Sequence, residues 1–373
     1  MEIMLLAGTR PEAVKVAPLV HALRDHPRLT ARLVHSGQHQ DVVDQAFACF
    51  GLTADDYLRV PGRSTGTQAE LVSGLLPEME RLLRERRPAA VVVQGDTSTV
   101  LAGALSAFWL GIPVVHLEAG LRTYELDSPF PEEGNRQMVS RIAALHLAPT
   151  AAAATALRAE GVPADRIALT GNTVVDAVLR VAATRPAAGD PELARLEAGL
   201  RRDGRRLVLV TSHRRESWGE PMDRTLDAVR RIVARHPDVE VLLPLHPNPA
   251  VRSRISAGLG GVERVTLTEP LGYADLIGAL RLADLVLTDS GGIQEEAPTF
   301  GTPVLVLREV TERREAVDAG SAWLVGTDAD LIVKTAGLVL DGQLTVPAGV
   351  NPFGDGTAAL RSVTAIDGLL AAA

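Results

Sequence analysis

Two Rossmann-like α/β domains, each with a doubly wound parallel sheet and facing each other across a cleft, are the architecture this sequence predicts. Three observations lead there. Short apolar runs such as Val91-Val92-Val93 are continuous rather than alternating, as in strands covered on both faces, and amphipathic helical stretches separate them. The pattern pauses in a Pro-, Gly- and Arg-rich stretch near residues 185–206 and then restarts, and 373 residues exceed one typical core. Finally, the apolar runs end in polar clusters, and open α/β sheets bind ligands at the carboxyl ends of their strands.

In the first half, strands are predicted at 2–6, 31–36, 89–94, 113–117, 145–148 and 167–170, with helices that include 12–24, 68–87 and 97–110. A domain over 1–184 is followed by a connection over 185–206 that contains a short helix at 191–200. The second domain, 207–355, carries strands at 207–211, 239–244, 264–267, 284–288, 304–307 and 322–325. Its helices include 222–235, 273–281 and 330–340, and a last helix is predicted within 356–373.

Composition narrows the function. With 38 Lys+Arg against 46 Asp+Glu the chain is acidic and has no basic run suited to nucleic acid. No apolar stretch reaches membrane-spanning length, and the first residues enter a strand without a basic region or cleavage site. Cys49 is the only cysteine, which excludes an internal disulfide and a cysteine metal cluster. A cytoplasmic location is the expectation. Lys15 and Lys334 are the only lysines in an arginine-rich chain, so Lys15, inside the first βα unit, stands out.

The polar clusters carry the chemistry. In Thr288-Asp289-Ser290-Gly291-Gly292, successive glycines let backbone N–H groups approach an anion, and Ser290 can cap the helix or bind a phosphate oxygen. The same turn is also what an ordinary capped βα connection looks like. Gly8-Thr9-Arg10-Pro11-Glu12 places Arg10 and, one turn on, Lys15 where they could face a diphosphate. Gln94-Gly95-Asp96-Thr97 puts Asp96 at a helix start, as an N-cap or as a catalytic acid. Glu118 closes an apolar strand, where structure alone rarely selects a carboxylate. Glu132 and Glu133 open a helix whose dipole they could complement, while His213-Arg214-Arg215-Glu216 and His246 follow two strands of the second half. The dinucleotide fingerprint, a Walker loop and a metal-ligand spacing are all missing. Acid/base chemistry on a phosphorylated substrate, without a cofactor or metal, is the resulting expectation.

Taken in order, the clusters Gly8–Glu12, Gln94–Thr97, His116–Arg122, Pro131–Arg136, 213–216 and Thr288–Pro298 resemble the non-hydrolysing bacterial UDP-N-acetylglucosamine 2-epimerases over nearly the whole chain. The resemblance implies the glycosyltransferase-B fold with 356–373 packing back on the first domain, no cofactor, and a homodimer. It implies reversible conversion of UDP-N-acetylglucosamine to UDP-N-acetylmannosamine through 2-acetamidoglucal and UDP, serving cell-surface polysaccharide synthesis. Asp96, Glu118 and Glu132 match the family's essential carboxylates and His213 its essential histidine. Arg10, Ser290, Gly291 and Gly292 match diphosphate contacts, Glu296 the ribose-binding carboxylate, and Lys15, Arg136 and Arg313 further cations. Leu271 and Leu276 join the substrate-binding set, Leu276 standing where an aromatic residue against uracil is frequent. Gln38, His39, Arg63, Arg214 and His246 match parts of a second, activating UDP-N-acetylglucosamine site. Asp41 stands where glutamine is usual there, and an acid beside a diphosphate would weaken it. A hydrolysing 2-epimerase and a sugar transferase of the same fold are the alternatives.

Overall fold

The computed structural model describes residues 1–373 except 61–65, 185–186, 213, 215–216 and 373, and except the side chain at position 40. The chain forms two units, Met1–Ala177 with Phe353–Ala373, and Val178–Pro352.

Unit 1 begins β1 (Glu2–Ala7), α1 (Arg10–Arg24), β2 (Thr30–His35), α2 (Gln40–Cys49), β3 (Asp56–Tyr57), α3 (Gln68–Arg86), β4 (Ala90–Gln94) and α4 (Ser98–Trp109). It continues β5 (Val114–Leu117), α5 (Glu132–Ile142), β6 (Leu145–Ala148), α6 (Ala151–Ala159), β7 (Ile167–Leu169) and α7 (Thr173–Thr184). The seven strands lie in the order β3-β2-β1-β4-β5-β6-β7, all parallel. Order reverses between β1 and β4, so their carboxyl ends flank the switch point where such sheets form binding crevices. Met4, Leu6, Val91 and Val93 pack with Leu75, Met79 and Val100 of the covering helices.

Unit 2 runs α8 (Pro191–Asp203), β8 (Arg206–Thr211), α9 (Glu220–Arg235), β9 (Val239–Pro244), α10 (Pro249–Leu259), β10 (Val265–Thr268) and α11 (Tyr273–Leu282). Then come β11 (Leu285–Thr288), α12 (Gly291–Glu296), β12 (Val304–Val306), α13 (Arg314–Asp318), β13 (Ala322–Leu324) and α14 (Ala329–Leu340). Its parallel six-stranded sheet, β10-β9-β8-β11-β12-β13, switches between β8 and β11. Val208, Val210, Leu285 and Leu287 pack there with Leu226, Val229 and Ile332. The final helix, α15 (Ala358–Ala371), lies on α1 in unit 1. Its first N–H groups, on Ala358 and Ala359, donate to the Asp176 carboxylate at 3.2 and 2.9 Å.

Three features depart from the sequence expectation. Residues 191–203 form α8, which packs on β10 and α11 within unit 2, and the boundary between units falls inside α7 rather than at 184. A capping aspartate explains why this polar stretch is helical: Asp190 accepts from Glu192 N and Leu193 N, both at 2.9 Å, and Gly204 ends the helix at φ 63°. The two-residue strand β3 was not predicted, because Asp56-Tyr57 carries no apolar run.

Candidate functional site

At the switch point of unit 1, the βα turns are fixed by one carboxylate. Glu12 is the third residue of α1 and folds back on the turn before it: its Oε2 accepts from Gly8 N at 2.6 Å and Thr9 N at 2.8 Å. Its Oε1 accepts from Thr97 Oγ at 2.5 Å, in the turn after β4. Thr97, not Asp96, is the N-cap of α4, its hydroxyl also accepting from Val100 N. That leaves the Asp96 carboxylate outside the helix cap. Only glycine fits at position 8, where a Cβ would lie 2.1 Å from Ser36 Oγ.

Asp96 is held from several sides. Asn135 Nδ2 donates to its carbonyl at 2.8 Å, and Arg136 donates to its carboxylate at 3.0 Å. His116 Nε2 lies 2.8 Å from Gly95 O, one residue earlier. A carbonyl can only accept, so this nitrogen carries the proton. Burial pushes the His116 pKa down to about 3, which keeps the ring neutral, and its buried Nδ1 has no hydrogen-bond partner among the described residues. Glu118 sits on the adjacent strand end, since Gln94 of β4 is in register with Leu117 of β5. Its two oxygens accept from Lys15 Nζ at 2.8 and 2.6 Å, and Gln94 Nε2 also donates to it. Both members of this ion pair are only 6% exposed. Glu118 has φ 64°, the left-handed region that non-glycine residues rarely occupy, a strain of the kind stored at functional sites.

Glu132 is the first residue of α5, so it shares a helix face with Asn135 and Arg136, three and four residues on. Its neighbour Glu133 faces inward and is fully buried. It receives Arg136 at 2.6 Å, Thr123 N at 3.0 Å, Tyr124 N at 3.1 Å and Gln137 at 2.8 Å. Arg10 opens α1 and is half-buried.

In unit 2 the corresponding position belongs to Asp289, which is fully buried between Thr288 and Ser290. Its Oδ2 accepts from Ser212 Oγ at 3.1 Å, Arg214 N at 3.1 Å and Ser217 Oγ at 2.8 Å, tying the turn after β11 to the turn after β8. Ser290 is the N-cap of α12, yet its side chain makes no capping hydrogen bond. The first N–H groups of that helix have no intrahelical acceptor. A Cβ at Gly291 would sit 3.1 Å from Arg313 Cζ, so this glycine is what lets the guanidinium approach the turn. Arg313 donates to Glu295 at 2.9 Å and pairs with Glu312 at 2.8 Å. Arg308 and Arg214 reach Glu312 at 2.7 and 3.3 Å. Burial pushes the Glu312 pKa up, but Arg313, Arg308 and Arg214 outweigh it and hold the carboxyl at about 2. The Arg313 guanidinium thus lies beside Gly291 while paired with Glu295 and Glu312. Glu296 ends α12 and is buried, as are Leu271 and Leu276 of the α11 region.

The sequence-derived site therefore divides between the units. Unit 1 brings together Asp96, Glu118, Lys15 and Arg136, with Arg10 and Glu132 on the helices that hold them. Unit 2 gathers Ser290, Gly291, Gly292 and Arg313 around one turn. Lys15, expected to face a diphosphate, is bound to Glu118. Of the activator set, Gln38 accepts from Thr99 Oγ at 2.7 Å, and exposed His39 precedes α2, on which Asp41 is also exposed. Arg214 bonds Asp289 and Glu312, and His246 Nδ1 accepts from Asn248 N at 3.0 Å. His213 and Arg63 lie outside the described residues. Among the described residues, no group of three or more His, Cys, Asp or Glu could hold a metal ion, and no helix is long and apolar enough to cross a membrane.

Sequence reasoning missed the roles of Glu12, Asp289, Glu133 and Glu312, although the first three stand inside clusters it singled out. A capping-box spacing, Thr9 to Glu12, was the available signal for one of them. Burial raises the Glu12 pKa from 4.5 to about 7. Between those values the folded state binds more protons than the unfolded, so the group's contribution to stability falls as pH rises from about 4.5 to 7. Relative to wild type, E12Q should gain stability between pH 5 and pH 8, by up to roughly 3 kcal/mol. Denaturant unfolding of both proteins at the two pH values measures this, and an unchanged difference would contradict it.

Comparison with known proteins places this geometry in a family. The model for UDP-N-acetylglucosamine 2-epimerases matches residues 21–367. The UDP-N-acetylglucosamine 2-epimerase of Bacillus subtilis is 42% identical over 366 residues, covering 97% of this chain and 94% of its own. Among solved structures, the Neisseria meningitidis UDP-GlcNAc 2-epimerase bound to UDP-GlcNAc superposes with TM-score 0.88 at 34% identity, covering 99% of this chain and 100% of its own. S. aureus MnaA in complex with UDP superposes with TM-score 0.89 at 38% identity, covering 99% and 97%. Doubly wound sheets, polar strand ends and these full-length matches agree, and the chain belongs to the UDP-N-acetylglucosamine 2-epimerase family.

Proposed function

We propose that the protein is a non-hydrolysing 2-epimerase that interconverts UDP-N-acetylglucosamine and UDP-N-acetylmannosamine. In the elimination, the C2–H bond breaks toward a carboxylate, the C1=C2 double bond forms, and the C1–O bond electrons leave with UDP. 2-Acetamidoglucal and UDP remain bound. The reverse step, with a proton delivered to the opposite face of C2, gives the epimer. A weakly acidic C–H needs a placed base, and inversion needs an acid on the other face. The observation that carries the reading is the pair of carboxylates on adjacent strand ends, each paired with a cation: Asp96 with Arg136, which also binds Glu133, and Glu118 with Lys15.

Asp96, Glu118 and Glu132 are the proposed proton-transfer groups, and His213 assists the departing diphosphate. Ser290, Gly291 and Gly292 with Arg10 and Arg313 would hold the phosphates, because fixed N–H dipoles and guanidiniums stabilise charge as it develops. Glu296 takes the ribose hydroxyls, and Leu271 and Leu276 give uracil an apolar seat. Relatives solved with UDP-GlcNAc or UDP support this ligand class. The proposal includes a cytoplasmic homodimer feeding polysaccharide synthesis, with Gln38, His39, Arg63, Arg214 and His246 at an activator site that Asp41 weakens.

D96N and E118Q should each lower kcat by about 10²- to 10⁴-fold, measured by NMR of the UDP-sugar mixture. In the wild type that mixture should reach equilibrium without free amino sugar. Free N-acetylmannosamine rising with UDP would establish hydrolysis instead. Initial rates should be nearly hyperbolic in UDP-N-acetylglucosamine, and a strongly sigmoidal curve would overturn the reading of Asp41.

A further inference from the structure

Glu12 cannot touch a substrate: its side chain is buried at 1% exposure beneath the strand ends. Yet it bonds both turns at the switch point of unit 1. Oε2 receives two backbone N–H groups from the turn that leads into Arg10, and Oε1 receives the hydroxyl of the residue after Asp96. We propose that Glu12 is a positioning residue, which through Thr97 sets the Asp96 carboxylate against the turn that carries Arg10. This rests on the reading of Asp96 as a proton-transfer group.

The argument is one of hydrogen-bond inventory. An ionised carboxylate only accepts, and all three of its partners here donate. Thr97 donates to Glu12 and accepts from Val100 N, so its hydroxyl orientation is fixed at both ends, and α4 is thereby registered to α1. The turn has little other freedom to relax. Gly95 stands at φ 81°, its carbonyl is taken by His116, and its N–H donates to Leu117 O at 3.0 Å. Asn135 holds the Asp96 carbonyl. Loss of the Glu12–Thr97 contact releases a link by which a single side chain joins this turn to the β1 turn. In E12Q, the amide oxygen can keep the two backbone donors, while the NH₂ turns toward Thr97 and reverses the hydroxyl's role. The side chain stays nearly isosteric, so the variant should fold.

A double-mutant cycle tests the idea. E12Q and T97V should each lower kcat by roughly ten-fold, with KM for UDP-N-acetylglucosamine changed by less than about two-fold. The E12Q/T97V double variant should fall no further than either single one, because both remove the same bond, the one that Thr97 donates to the Glu12 carboxylate. T97S, which keeps the hydroxyl, should recover most of the kcat lost in T97V. Loss of the α4 cap in T97V shows in melting temperature, which is recorded for every variant. Multiplicative losses in the double variant, or kcat unchanged in E12Q, would overturn the proposal and reduce Glu12 to a helix cap. D96N is assayed alongside. If it keeps wild-type kcat, the reading of Asp96 fails and this inference fails with it; if D96N is inactive, the cycle judges the positioning role by itself.

Discussion

One buried carboxylate at the switch point of each unit holds the turns on which the rest of the site depends. Glu12 joins the turns after β1 and β4, and Asp289 joins those after β8 and β11. Burying a carboxylate is costly unless donors surround it, and both are met by donors from turns far apart in sequence. For Glu12 the hydrogen bonds come from neutral groups, and its pKa remains raised to about 7, so desolvation is only partly offset. Stability alone would favour an uncharged group there. A titratable carboxyl kept at such a position is consistent with a functional demand on the turns it joins.

Around this framework the two units solve different electrostatic problems. Unit 1 gives each acid one cation, Lys15 for Glu118 and Arg136 for Asp96, with Arg136 itself anchored by buried Glu133. Unit 2 surrounds Glu312 with three arginines, one of which, Arg313, lies against Gly291 where side chains are small. The first pattern suits proton transfer and the second suits a phosphate chain. Rigid parallel strands place both, and the strain at Glu118 shows the chain departing from its preferred geometry at a carboxylate of the first pattern.

Much of this was legible in the sequence, for a physical reason. Strands buried on both faces must be apolar throughout, so β1, β4, β8 and β11 announce themselves, and any charge at their ends is conspicuous. Asp96, Glu118 and Ser290-Gly291-Gly292 were found that way. What remained hidden was pairing. Glu12 meets a residue 85 positions away, and Asp289 meets Ser212 77 positions away. No local pattern encodes such partners. Lys15 was conspicuous by its rarity, but its bond to Glu118 spans 103 positions and could not be read from composition. For the cap of α4 the sequence pointed to Asp96, and the structure gives that place to Thr97, whose side chain accepts from Val100 N. β3 was invisible because two residues are too few to show a period.

The central claim is that a carboxylate of unit 1 takes the proton from C2 while UDP departs and later returns. Incubation of the protein with UDP-N-acetylglucosamine in D₂O, followed by NMR, tests it most directly. Solvent deuterium should appear at C2 of both UDP-sugars as they equilibrate. Epimerisation without deuterium at C2, or a substrate left unchanged, would contradict it.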